Sequence, residues 1–179
     1  PKGGSGKTTL ATNVAGWLAG KRQRVLLTDL DPQQSAAQWL ARRPRLFPGI
    51  AARAAGDAVG TTTTDPQWQV VDSAAGLHGD ELKQALKVAD VLLVPLSASA
   101  FDMAATQRFL GVVADAKGVR KGRLAVGLVA IRIDARTRSA AELDAFLGGY
   151  AFPLVAHLRD TQVYVHCARD GASVFDLPR

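Results

Sequence analysis

A glycine-rich run that ends in lysine and two threonines, and opens straight onto an apolar-periodic segment, constrains this chain more than any other feature. Residues 3–9 read Gly-Gly-Ser-Gly-Lys-Thr-Thr, and Leu10, Val14, Trp17 and Leu18 follow at i, i+4, i+7 and i+8. That spacing predicts an amphipathic helix beginning at the loop. Glycines let consecutive backbone N–H groups converge on an anion with no Cβ in the way, and a helix N-terminus adds positive field there. Gly6-Lys7-Thr8 completes a GxxxxGK[ST] pattern, in which the lysine reaches the outer phosphates of a nucleotide and the hydroxyl binds Mg²⁺. Pro1 stands where the pattern has its first glycine, so the loop is a variant. A plain strand-to-helix connection would not need the Gly-Lys-Thr ending.

Two carboxylate-bearing strand ends follow in order. Arg24-Val-Leu-Leu-Thr-Asp29 is a short apolar run of the kind buried in parallel sheets, and Asp29-Leu-Asp31-Pro-Gln33 closes it. Carboxylates at the carboxyl ends of parallel strands lie where α/β sheets bind ligands, although an Asx-type turn before proline uses the same residues. Gln67-Trp-Gln-Val-Val-Asp72 is a second such strand, and a small-residue loop, Ser73-Ala-Ala-Gly76, continues it. An apolar run ending in aspartate holds Mg²⁺ through water in many phosphate-binding proteins. Alone it says little; its place after the loop makes it informative.

Further strands are expected at 89–96, 123–132 and 152–157, interleaved with helices at 101–116, 136–147 and 160–168. Alternation of this kind predicts an α/β fold with a doubly wound, mainly parallel sheet and P-loop topology. Five strands are expected, with Arg42–Pro66, rich in proline, glycine and threonine, left as loop. The 179 residues, 47% hydrophobic and 21% charged, suit one domain over residues 1–179 and exclude a wholly disordered chain. The single methionine is Met103, so the strand that should feed the loop is expected before Pro1, and a closing helix after Arg179. No apolar run is long enough for a transmembrane helix, and no secretory leader is expected. One cysteine, Cys167, excludes an internal disulfide and suits a reducing compartment.

With an additional lysine at Lys2, the loop resembles the deviant Walker A motif of the ParA/MinD family of ATPases. Asp29 to Gln33 resembles that family's switch I, and Asp72 to Gly76 its switch II. Residues 95–102, 161–165 and 170–175 resemble the small plasmid-type, ParF-like group, and carboxysome-positioning relatives are a neighbouring group. The resemblance runs from Lys2 to about Phe175. It implies ATP on Gly3, Gly4, Ser5, Gly6, Lys7, Thr8 and Thr9, and Mg²⁺ with Thr8, Asp31 and Asp72. It also implies a catalytic set of Lys2, Lys7 and Asp31, with Lys2 reaching the nucleotide of a partner subunit and Asp31 positioning the attacking water while Asp29 lies near the metal. The asparagine that many relatives use to read adenine is absent; Ile131-Arg132 occupies that stretch, which puts Arg132 forward as a nucleotide-binding residue.

The function so implied is a slow, partner-stimulated ATP hydrolase that dimerises on ATP, binds DNA without sequence preference and segregates or positions cargo. That cargo is a plasmid, a chromosome origin or a protein body such as a carboxysome. A small adaptor protein is the expected partner, and the expected location is cytoplasmic and nucleoid-associated, with no membrane. Operator-specific repression is not expected. A MinD-like membrane-bound regulator is the alternative and would need an amphipathic helix near the end of the chain; a metabolic P-loop enzyme is a third.

Charge bears on the DNA expectation. The net charge is +6, and between Arg108 and Arg138 eight basic residues face two acidic ones. Such an excess suits phosphate-backbone contact, and Lys117, Arg120, Lys121, Arg123, Arg136 and Arg138 are the expected contacts; a merely solvated basic face has the same composition. His78, His157 and His166 lack metal-ligand spacing, and no serine sits in a nucleophile elbow. Trp17 and Trp39 are expected to pack against the core.

Overall fold

The segment after the glycine-rich loop is helix α1 (Lys7–Gly20), but its buried face is not the large-residue stripe the spacing predicts. Ala11, Thr12, Asn13, Ala15, Gly16, Leu18 and Ala19 are buried, whereas Val14 is half-buried and Trp17 is 43% exposed. Small residues on most sides let neighbours come close. A Cβ on Gly16 would lie 2.5 Å from the Ser173 Cβ, so this position admits only glycine without rearrangement.

The computed structural model describes residues 5–54, 65–134 and 136–178, which fall into two compact units. The first comprises residues 7–74 together with those from 161 onward. In it β1 (Val25–Asp29) lies between two parallel neighbours, in the order β2-β1-β3, with α2 (Ser35–Ala41) following β1. Strand β2 (Ala51–Ala54) falls inside the stretch expected to be loop, and β3 is Trp68–Asp72. Four residues reading Ala-Ala-Arg-Ala carry none of the β-branched or aromatic enrichment that marks a strand; β2 exists because β1 offers it a parallel edge. Every residue of β1 is buried, and Leu27 joins Leu18, Val25, Ala36 and Trp39 in the core of this unit.

The second unit comprises residues 75–160 with Ser5 and Gly6. Its elements run α3 (Gly79–Val88), β4 (Val91–Ser97), α4 (Ala100–Asp115), α5 (Lys117–Arg120), β5 (Ala125–Ile133), α6 (Arg138–Gly148) and β6 (Leu154–Arg159). The strands pair in parallel in the order β4-β5-β6. Central β5 is buried at Val126 to Ile131, and Leu96, Leu110, Leu128, Leu143 and Leu147 fill the core. Pro153 immediately precedes edge strand β6, a place where its missing N–H removes no ladder bond.

All described strand pairs are therefore parallel with helical connections, the α/β arrangement predicted, with six strands rather than five among the described residues. The last helix, α7 (Gln162–Asp170), returns to the first unit. Gly171 ends it in the left-handed conformation at φ 67°, and a Cβ there would lie 2.5 Å from the Arg43 amide nitrogen. Both facts require glycine.

Candidate nucleotide site at the start of the first helix

Helix α1 begins at Lys7, so Lys7, Thr8 and Thr9 form its first turn, where backbone N–H groups have no helical partner. Gly6 enters that turn at φ 76°, and a Cβ on it would lie 2.5 Å from Ile131 Cδ1. The positive φ demands glycine, and a larger residue would also have to displace the end of the Ile131 side chain. The Ser5 hydroxyl is buried without a hydrogen-bond partner; a cavity of about 170 Å³ that Thr8, Thr9 and Thr12 share with Ser35, Gln38, Trp39, Arg42 and Ala168 is lined by neither Lys7 nor Asp72. Lys2, Gly3 and Gly4 lie outside the described residues.

Three carboxylates of the same unit differ sharply in how they are held. Asp29 is buried, and both its oxygens are taken: Oδ1 accepts the Asp31 N–H at 3.0 Å and Oδ2 the Ala37 N–H at 2.9 Å. It folds the segment after β1 and anchors α2 through these two bonds. Asp31 is half-buried, and its Oδ1 accepts the Gln33 N–H at 2.9 Å, so the Asx turn is present as well as the candidate water-positioning carboxylate. Asp72 is 1% exposed, and neither of its oxygens has a hydrogen-bond partner.

Burial pushes the Asp72 carboxyl from its usual range up to about 6. The Thr8 hydroxyl stands near enough to lower it but falls short of a hydrogen bond; Asp29 and Asp31 push it further up, and the Lys7 ammonium pulls it down. A buried carboxylate with both oxygens orphaned is costly. Beside a threonine hydroxyl and a lysine, it supplies hard oxygen donors in an acidic pocket, the chemistry that suits Mg²⁺. The residues fit that ion, and Thr8 and Asp72 are the side chains that would hold it. Among the described residues no cluster of three or more His, Cys, Asp or Glu side chains could hold a metal by itself. His157 instead pairs with Asp144 at 2.8 Å on the surface, and His166 is exposed beside buried Cys167.

The remaining predicted residues belong to the other unit. Arg132 is exposed and sits at φ 54°, unusual for a non-glycine residue, at a register irregularity of β5. The basic residues do not form one patch. Lys117, Arg120, Lys121 and Arg123 precede β5, whereas Arg136 and Arg138 follow it, and a nine-residue parallel strand is about 26 Å long. Three of the six are engaged: Arg123 Nη2 donates to the Lys87 carbonyl at 2.6 Å, Arg136 grips Asp134 through two nitrogens, and Arg138 pairs with Glu142 at 2.8 Å. Lys117, Arg120 and Lys121 are exposed, with no ion pair among the described residues.

Sequence reasoning missed a polar cluster behind the site. Arg43 and Asp176 form a two-nitrogen ion pair at 2.9 Å, each 4% exposed, with the guanidinium 5.3 Å from the ring centres of Trp39 and Phe47. Asp176 also accepts the Ser173 N–H and hydroxyl, and Trp39 Nε1 donates to the Ala172 carbonyl at 2.9 Å. Arg43 and Asp176, like Trp39 and Ala172, are 133 positions apart, and no local pattern connects them.

Parallel strands with helical connections, a glycine-entered helix start and an unpaired carboxylate at a neighbouring strand end define a P-loop nucleotide-binding protein. The model of the CobQ/CobB/MinD/ParA nucleotide-binding domain matches residues 1–159, and the chain belongs to that family. Among curated proteins, it is 27% identical over 98% of its length to the maintenance of carboxysome distribution protein A of Halothiobacillus neapolitanus, covering 84% of that protein. The protein of the same name from Gloeobacter kilaueensis is 36% identical over 58% of this chain, and the match spans 49% of the relative's length. A solved plasmid partition protein of Borrelia burgdorferi, bound to AMPPNP, has the same fold, with a TM-score of 0.75 and 19% identity over 99% of this chain and 89% of its own.

Proposed function

We propose that this chain is a ParA-like ATPase that cycles between ATP-bound and ADP-bound forms to position a cargo. The observation that carries the reading is the buried, orphaned Asp72 carboxylate beside Lys7 and Thr8. In a protein without a nucleotide duty such a group would only destabilise. ATP lies with its phosphates along Gly3 to Thr9, and Lys7 holds the outer phosphates. The Thr8 hydroxyl and the Asp72 carboxylate would hold Mg²⁺, which would supply positive charge against the transferred phosphoryl group. Asp31 orients the attacking water, and Asp29 keeps Asp31 in place by accepting its N–H. Arg132 is the candidate contact to the rest of the nucleotide. Both units act as one ATPase domain, a reading supported by a single family match across residues 1–159.

Lys2 completes the site of a second subunit, so that hydrolysis waits for an ATP-bound homodimer. The dimer holds nucleoid DNA through its phosphates, with Lys117, Arg120 and Lys121 as the first contacts because no ion pair within the described residues engages them. A small adaptor stimulates turnover and links the ATPase to cargo. The names of the two carboxysome-distribution relatives favour a protein body; the plasmid partition structure keeps a replicon in view.

The test is cosedimentation with DNA and with anionic liposomes, with and without ATP, alongside phosphate release. ATP-dependent, salt-sensitive pelleting with DNA of any sequence supports the reading. Pelleting with liposomes alone would instead make the protein a MinD-like membrane ATPase; no described helix is long and apolar enough to cross a membrane.

A further inference from the structure

We infer that Asn13 is a positioning residue that couples the strap at residues 171–176 to the phosphate-binding turn, so that strap docking and nucleotide affinity control one another. Asn13 is buried on α1, and its side chain is used at both ends. Its Oδ1 accepts the Val174 N–H at 2.9 Å, across 161 positions of sequence. Its Nδ2 donates to the Thr9 carbonyl at 2.7 Å. Thr9 belongs to the first turn of α1, whose N–H groups face phosphate in the function proposed above, and the inference rests on that reading.

The physical link is short. A carboxamide that accepts at one end and donates at the other is polarised by both bonds, each strengthening its partner. Pulling Val174 away leaves a buried acceptor unpaired, and the side chain must then turn from Thr9 or stay unsatisfied. The carbonyl it would release belongs to the turn that holds the phosphates. The strap is held at three further points: Gly16 of α1 leaves room for Ser173, Trp39 of α2 holds the Ala172 carbonyl, and Arg43 just beyond α2 holds Asp176. The strap is thus docked against both α1 and α2, and the Asn13 carboxamide bridges it to the first turn of α1. Linkage then requires reciprocity: nucleotide tightens the strap by the same factor by which a docked strap tightens nucleotide.

The experiment is amide hydrogen exchange at Ser173 and Val174, with and without saturating Mg-AMPPNP, and a parallel titration with a fluorescent ATP analogue. In the wild type, nucleotide should slow exchange at Val174 by about tenfold, within the usual range of such couplings. Asn13→Ala should weaken nucleotide binding by the same factor, leave turnover at saturating ATP within about twofold because Lys7 and Asp72 are untouched, and abolish the nucleotide effect on Val174 exchange. Asn13→Asp keeps the acceptor but loses the donor, so the strap should stay protected without nucleotide yet stop responding to it. If Asn13→Ala does not fold, the wild-type exchange measurement and Asn13→Asp decide the matter. Wild-type protein that binds the analogue but shows identical Val174 exchange in both states overturns the coupling and leaves the nucleotide site standing. Failure to bind the analogue at all overturns both.

Discussion

Asp29 and Asp72 are register partners at the carboxyl ends of neighbouring parallel strands, yet one carboxylate has both oxygens satisfied by backbone N–H groups and the other has neither satisfied. The difference is between a carboxylate that builds a turn and one left open to a ligand. Asp29 builds the segment that presents Asp31; Asp72 is left unpaired on the side where Thr8 and Lys7 stand.

The unpaired group should make the nucleotide-free protein less stable than it could be. Its carboxyl titrates near 6 when folded, against about 3.8 when unfolded. In that window the folded state binds the extra proton, so stability falls as pH rises from about 4 to about 6 and stays low above it. Asp72→Asn should therefore stabilise the apo protein at pH 7 by up to ~3 kcal/mol and remove this slope. Urea denaturation at pH 4.5 and pH 7 reads both effects, while Mg²⁺-dependent ATP turnover should be lost.

Asp29→Ala should act in the opposite way. Two backbone N–H groups lose a buried acceptor, at a cost of about 2–4 kcal/mol in folding stability. Turnover should fall because Asp31 is no longer held, not because a metal ligand is gone. Thermal melts, together with a magnesium titration that leaves the apparent Mg²⁺ affinity within about threefold of wild type, check the assignment.

The buried pair Arg43–Asp176 predicts a pronounced asymmetry. Removing one partner leaves a charge in an apolar setting between Trp39 and Phe47, so Asp176→Leu should destabilise by about 3–5 kcal/mol. Replacing both, as Arg43→Met with Asp176→Leu, should recover most of that loss. A double-mutant cycle by chemical denaturation measures the difference.

The separation of basic residues by the length of β5 predicts unequal effects on DNA. Charge reversal at Lys117, Arg120 and Lys121 should reduce DNA affinity uniformly across sequences. It should also flatten the salt dependence by about 0.9 in log-log slope for each phosphate that the protein no longer neutralises. Reversal at Arg136 and Arg138, already occupied by Asp134 and Glu142, should do much less. Fluorescence anisotropy over a salt series distinguishes the two clusters.

Much of the candidate site was legible because its pattern is local. The Gly-Lys-Thr ending and the two aspartates at strand ends are contiguous patterns, and backbone geometry alone carries them to the start of α1 and the ends of β1 and β3. What stayed hidden depends on distant neighbours. Strand β2 has no strand-like composition and exists through its pairing with β1. Trp17 and Trp39 both lie on helices, yet one is exposed and the other buried; Trp39 packs in the core of its unit and donates to the Ala172 carbonyl, 133 positions away. The basic stretch from 108 to 138 reads as one charge run, but β5 divides it. Asn13 looks like an ordinary polar residue in a helix until Val174 supplies its second bond.

The central claim is that Asp72 is kept unpaired for a magnesium–nucleotide complex at the start of α1. Calorimetric titration of ATP into the protein, with Mg²⁺ and with EDTA, tests it most directly when the wild type, Lys7→Ala and Asp72→Asn are compared. The wild type should bind tightly only with Mg²⁺, Lys7→Ala should show no measurable binding, and the residual affinity of Asp72→Asn should no longer depend on the metal. Wild-type and Asp72→Asn proteins with the same magnesium dependence would contradict the claim.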